Sequence, residues 1–257
     1  MMRIFSLLLI VFVGFSACKD REIGPDVNLD TTDQQQYFPL QLNRSITYQV
    51  DSIVYDFAPG GSIISSAATS FIREIVADTL RDNDGRLQWK IERYRRTADT
   101  LPWVIDRIWA AERTASQAIR TEDNLRFLRL VFPMDRRSEW NGNLWIDASR
   151  EIEIAGERMR PFTGWNYEVD SIDIPRQVGA FQFDSTLVIT EVDETNIIER
   201  RLSRCVYAKN VGLVWKEQWI LDSQYCNQVP PPTDCETKPW LEKAERGYLY
   251  RMKVLQY

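Results

Sequence analysis

The side chain that most often moves protons near neutral pH is missing, because the 257 residues include no histidine. Ser–His–Asp and Cys–His catalysis are therefore excluded, and so is His-ligated zinc. What remains is paired-carboxylate chemistry of the glycosidase kind, with 37 Asp and Glu residues to draw on. None of them is set apart by spacing. Asp82-Asn83-Asp84-Gly85 has the composition of a calcium loop, but its first and twelfth ligand positions would fall on Leu80 and Ile91, which cannot hold a cation. The quartet reads as a turn. Gly60-Gly61 is a lone pair before a serine-rich run, not a phosphate-binding loop. No catalytic residue, metal or cofactor is expected, and the chain reads as a non-enzyme; a carboxylate-based glycoside hydrolase is the minor alternative.

Cysteine chemistry is more informative. Arg3 precedes an apolar run from Ile4 to Phe15, too short for a spanning helix of about 20 residues and of the right length for a signal peptide. It ends in Ser16-Ala17-Cys18. Small residues followed by cysteine resemble the bacterial lipobox, which implies a diacylglycerol on Cys18 after removal of residues 1–17. The next residues, Lys19-Asp20-Arg21-Glu22, resemble the export signal of surface lipoproteins of Bacteroidota, and this tilts the expected location toward the outer face of the outer membrane. Residues 18–36 are polar and read as a lipid-anchored flexible tether. The envelope is oxidising, so a disulfide is allowed. Cys226 and Cys235 bracket a loop with three prolines and are expected to be bridged. Cys205 is expected to be a free, buried, small hydrophobe facing the region of Lys216, if Lys209 to Gly212 form a turn.

The nine tryptophans could stack on sugars or line a core. Trp140 and Trp145 flank Asn141-Gly142, a hairpin signal, so exposure near a tip is expected. With Trp240 they are the candidate binding anchors. Trp215 and Trp219 share a strand face with Glu217 between them.

These residues need a frame. After loss of residues 1–17 the chain carries 31 basic and 37 acidic residues, a net charge of −6, which argues against nucleic-acid binding. "GRLQWKIERYRR" alternates, with Leu87, Trp89 and Ile91 on one face, as in a half-buried strand. The apolar pairs of 63–76 recur at helical spacing, yet the β-branched second half and the turn that follows make 68–80 a strand. Further strands are expected at 44–57, 103–113, 125–132, 165–173, 183–193, 196–208, 213–223 and 247–256, with a short helix at 239–246. Strands separated by turns predict an all-β fold with minor α: one domain over 37–257, a large curved antiparallel sheet forming a partial barrel or sandwich. "YQVDSI" at 48–53 returns as "YEVDSI" at 167–172, compatible with two pseudo-repeated halves.

"YFPL" at 37–40, "LVFPM" with "WNGN" in mid-chain and "YAKNVGLVWKEQW" at 207–219 resemble a group of uncharacterised outer-membrane lipoproteins of Bacteroidota. The resemblance implies a shared β fold and no activity. Asp-Ser/Thr triplets beginning at Asp30, Asp51, Asp78, Asp99, Asp170 and Asp184 resemble the O-glycosylation acceptor of such envelope proteins. The expected function is a lipid-anchored envelope binding or scaffold protein, its partner an envelope protein or a glycan. The alternatives are a glycan-binding module with exposed Trp and an apolar-ligand carrier on the concave side of the sheet. The irregular segments 141–165 and 226–239 are the expected contact loops.

Overall fold

The structure, a computed structural model, describes residues 30–257; Cys18 and the signal segment lie outside the described residues. A one-turn helix, α1 (Thr32–Gln35), precedes β1 (Ser45–Phe57), β2 (Ile63–Arg81), β3 (Leu87–Arg96), β4 (Val104–Arg113), β5 (Gln117–Glu122) and β6 (Leu125–Val131). Then come β7 (Glu139–Trp140), β8 (Ile152–Ile154) and β9 (Glu157–Met159). β10 (Tyr167–Val178), β11 (Phe181–Thr195), β12 (Glu199–Ala208), β13 (Gly212–Asp222), α2 (Trp240–Lys243) and β14 (Arg246–Gln256) complete the chain.

Twelve strands form one antiparallel sheet in the order β6-β5-β4-β3-β2-β1-β14-β13-β12-β11-β10-β7, nearly a barrel, while β8 and β9 form a separate hairpin. The two meanders join where β14 pairs with β1, from Thr47–Gln256 to Tyr55–Gly247. Bulges bend the sheet, including one between Thr190 and Val192 that leaves Glu191 as the extra residue. The free edges meet without forming a ladder. The Leu128 N–H donates to the Gly142 carbonyl at 2.8 Å, and the Trp140 indole N–H donates to the Leu128 carbonyl at 2.9 Å. Phe162 closes the seam from within, 5.9 Å from Phe127.

Alternation along the strands puts Tyr48, Val50, Ile72, Ile91, Cys205, Tyr207 and Met252 on the lumen side. β2 is a strand despite its helical apolar spacing, since β1 pairs with it over Ser45–Phe57. β5, a further strand, was not expected; "QAIRTE" carries charge on its lumen side, which hides its burial pattern. YQVDSI and YEVDSI fall on β1 and β10, and Tyr48 and Tyr167 are both fully buried.

Short segments pack against both ends of the strands. Residues 31–36, expected in the flexible tether, instead dock on the barrel: Thr31 Oγ1 donates to the Ala115 carbonyl at 2.8 Å and Gln34 Nε2 to the Met134 carbonyl at 2.7 Å. Their side-chain donors are matched by main-chain carbonyls just beyond β4 and β6, which a composition-based reading cannot see. Tyr37 follows, buried, its hydroxyl donating to Asp173 at 2.8 Å. At the other end the β8–β9 hairpin drops Met159 beside Gly247. Gly247 has φ +104°, and a Cβ there would lie 1.9 Å from the Ile220 carbonyl oxygen, so the strand can begin this close to β13 only as glycine. The segment after β13 is stapled by the Cys226–Cys235 disulfide (Cα–Cα 5.2 Å). Through α2 it packs on Tyr55 and Leu221, whose strands end there.

Candidate functional site: a charged lumen

The barrel holds a partly open cavity of about 480 Å³, within the usual range for small-molecule sites. Part of its wall is apolar, from Leu40, Ile46, Ile72, Ile91, Phe127 and Phe162. The rest is charged, which is unusual for buried surface. The charges are ordered as a chain. Arg93 on β3 lies 3.9 Å from Glu74 on β2, and Glu74 lies 2.7 Å from Arg120 on β5. Arg120 lies 3.3 Å from Glu122, which is 2.9 Å from Arg129 on β6. Arg129 reaches across the seam to Glu191 on β11 at 2.9 Å, and Glu191 meets Lys216 on β13 at 2.9 Å. Seven side chains thus alternate in sign from Arg93 to Lys216, six of them lining the lumen and Glu191 buried behind it.

Local structure explains the arrangement. Glu191 is presented by the bulge of β11 and is 1% exposed; Ser203 Oγ donates to it at 2.5 Å. Tyr167 Oη accepts from Arg129 Nη1 at 3.2 Å. Trp109 on β4 is stacked by two guanidinium groups, Arg93 at 4.4 Å and Arg120 at 4.8 Å from its ring centroid. Its indole N–H donates to Asp123 at 3.2 Å. Burial pushes Glu191 and Glu122 toward neutrality, but the neighbouring cations win: Lys216 and Arg129 hold Glu191 down to about 2, and Arg129 and Arg120 hold Glu122 down to about 2. Both stay charged near neutral pH. Neither is a proton donor there, which a glycosidase acid must be.

Satisfaction is incomplete at one end. Arg93 Nε has no hydrogen-bond partner, and neither do Arg120 Nε and Nη2. Arg120 Nη2 is close to Glu74 without the alignment of a hydrogen bond. Arg93 Nη2 makes one long contact, donating to Tyr250 Oη at 3.5 Å.

Of the residues singled out from the sequence, Cys205 lines the lumen, while the candidate anchors Trp140, Trp145 and Trp240 lie elsewhere and are not brought together. Trp140 is buried, not exposed at a tip, and packs at a tilt on Tyr167, 5.7 Å between centroids. The Asn-Gly pair beside it is no hairpin; Gly142 clears space for the Tyr167 ring. Trp145 is 45% exposed under Arg126, 4.5 Å from its ring. Trp240 is half-buried, its indole N–H donating to Thr195 Oγ1 at 3.1 Å. Trp215 and Trp219 are half-buried on the outer face, where Trp219 donates to Glu217 at 3.1 Å. Cys205 is free and buried, paired in register with Lys216. Burial and the nearby Glu191 push its thiol up to about 12. Asp82-Gly85 is a turn, with Asp82 Oδ1 accepting from the Asp84 and Arg86 N–H groups. Of the six Asp-Ser/Thr triplets, that at Asp99 has an exposed hydroxyl residue directly after the aspartate, Thr100. Sequence reasoning missed the lumen charges; the signal was an acid inside an apolar run, Glu191 in "LVITEV", and arginines at alternate positions of "IERYR".

No family model, no curated protein and no solved structure matches the chain.

Proposed function

We propose that this chain is a binding protein of the bacterial cell envelope, anchored at the outer membrane by a diacylglycerol on Cys18, that takes a small ligand into its barrel and performs no catalysis on it. The observation that carries this reading is the partly open lumen of about 480 Å³ with apolar and charged walls. A scaffold needs no such interior. Burying ion pairs there is a poor route to stability, since hydrophobic residues of similar volume often do as well or better. The glycan reading loses support, because Trp140 is buried and leaves Trp145 without a partner plane. The segments 141–165 and 226–239 pack against the seam and the strand ends, which suits caps more than free contact loops.

The test is native mass spectrometry of protein purified from envelopes, compared with Ser52→Trp, which fills the lumen beside Tyr250. The expected result is a co-purifying small molecule in the parent, lost in a variant that unfolds at the same temperature. Identical spectra for both, with an empty barrel in each, would count against the carrier reading. Cys18→Ser is expected to move the protein out of the membrane fraction.

A further inference from the structure

The alternating chain in the lumen does not balance. Among the described residues it holds four cations, Arg93, Arg120, Arg129 and Lys216, and three anions, Glu74, Glu122 and Glu191. Both of its ends are cationic. A buried surplus positive charge is costly unless an anion joins it. The weakly held end is Arg93: its closest carboxylate is 3.9 Å away and its Nε is unpartnered. Its guanidinium is nonetheless fixed in orientation by stacking on Trp109 at 4.4 Å. A planar guanidinium held by its face offers its edge, the geometry that takes a carboxylate in a two-pronged contact.

The other end lies close by. Lys216 is paired with Met252 and Gln218 with Tyr250 on neighbouring strands. Lys216 and Tyr250 are therefore diagonal neighbours on the lumen wall. The Tyr250 phenol is pushed up by burial and pulled down by both Arg93 and Lys216, so it sits in the field of both ends. Ser52 faces Tyr250 across the β1–β14 pair. The chain of charges thus winds around the lumen and leaves its two cationic ends near one phenol.

We propose that the lumen binds a singly charged carboxylate amphiphile, its head between Arg93 and Lys216 beside Tyr250 and its tail against Ile46, Ile72, Ile91 and Phe127. This deepens, and rests on, the reading of the lumen as the binding site. One negative charge completes the alternation of this chain; the other charged side chains of the wall, Arg44, Arg95, Arg107, Asp106 and Asp123, lie outside it. The apolar wall selects for a tail, since a small hydrophilic acid would leave that part of the cavity unmatched.

Isothermal titration of the purified protein with dodecanoate, dodecanol and dodecyl phosphate separates the possibilities. Dodecanoate is expected to bind, and dodecanol at least about tenfold more weakly. Arg93→Met is expected to abolish the preference for dodecanoate while retaining dodecanol, and Arg93→Lys to keep part of it. Ligand-free Arg93→Met should unfold at or above the parent's temperature, because it removes the surplus charge; a marked loss of stability would show that Arg93 is a structural partner and overturn the proposal. Equal binding of dodecanoate and dodecanol by the parent would also overturn it while leaving the carrier reading intact. Tighter binding of the phosphate would assign the site to a dianion instead. Failure of all three probes, with no co-purifying ligand, would sink the carrier reading and this inference together.

Discussion

The hydroxyl end of the Tyr167 ring rests directly on the backbone of Gly142: a Cβ at position 142 would lie 2.2 Å from Tyr167 Cζ. This contact sits at the seam where β6 and β7 meet. It also places the phenol oxygen that accepts from Arg129. The glycine is required by space, not by backbone angle.

Gly142→Ala should therefore push Tyr167 off its seat. Overpacking of this kind costs about 1–3 kcal/mol, and the displaced phenol would also loosen Arg129. Urea unfolding of the variant and the parent checks it. A change below about 0.5 kcal/mol, the range of ordinary surface substitutions, would mean the seam yields freely.

Acid should weaken the fold through the lumen. Glu122 and Glu191 titrate at about 2 when folded, against the ordinary 4.5. Their folded values are depressed, so their contribution is complete above about pH 4.5 and drains away as the pH falls toward about 2. Each is worth on the order of 3 kcal/mol over that window. Denaturant midpoints measured at steps of pH should fall steeply below about 4.5. Glu191→Gln should be less stable at neutral pH, and its profile should be flatter in acid. A parent profile as flat as the variant's would refute the assignment.

The cysteines give a third prediction. Reducing the Cys226–Cys235 bridge releases a loop with a sequence separation of 9 and should cost about 2–3 kcal/mol in the chain-entropy picture. Cys205 should not react with a thiol reagent at neutral pH while the protein is folded, since burial holds its thiol up at about 12. One fast-reacting thiol in the non-reduced native protein would contradict this.

Much of the frame was legible from residue pattern. The turn at Lys209–Gly212 predicts the facing of Cys205 and Lys216, and both are found. The proline-rich loop between two cysteines predicts its bridge, also found. The lumen chemistry was not legible because alternation tells which residues share a face, not which face is wet. In β3, Ile91 and Arg93 share the lumen side; an arginine there reads as solvent-facing until the sheet closes. The same limit misplaced Trp140. Asn-Gly usually marks a hairpin, but at Gly142 the missing side chain serves a tertiary contact 25 residues away in sequence.

The pairing of β14 with β1 has a temporal consequence. Thr47 and Gln256, partners in that ladder, stand 209 positions apart, so the strand of this sheet that is synthesised last is the one that joins the two meanders. Until then β1 and β13 are open templates with unmatched amides and carbonyls. Closing so long a loop is slow. Until β14 is in place the chain holds two unfinished sheets, and it is in that interval that a holding chaperone would find its substrate.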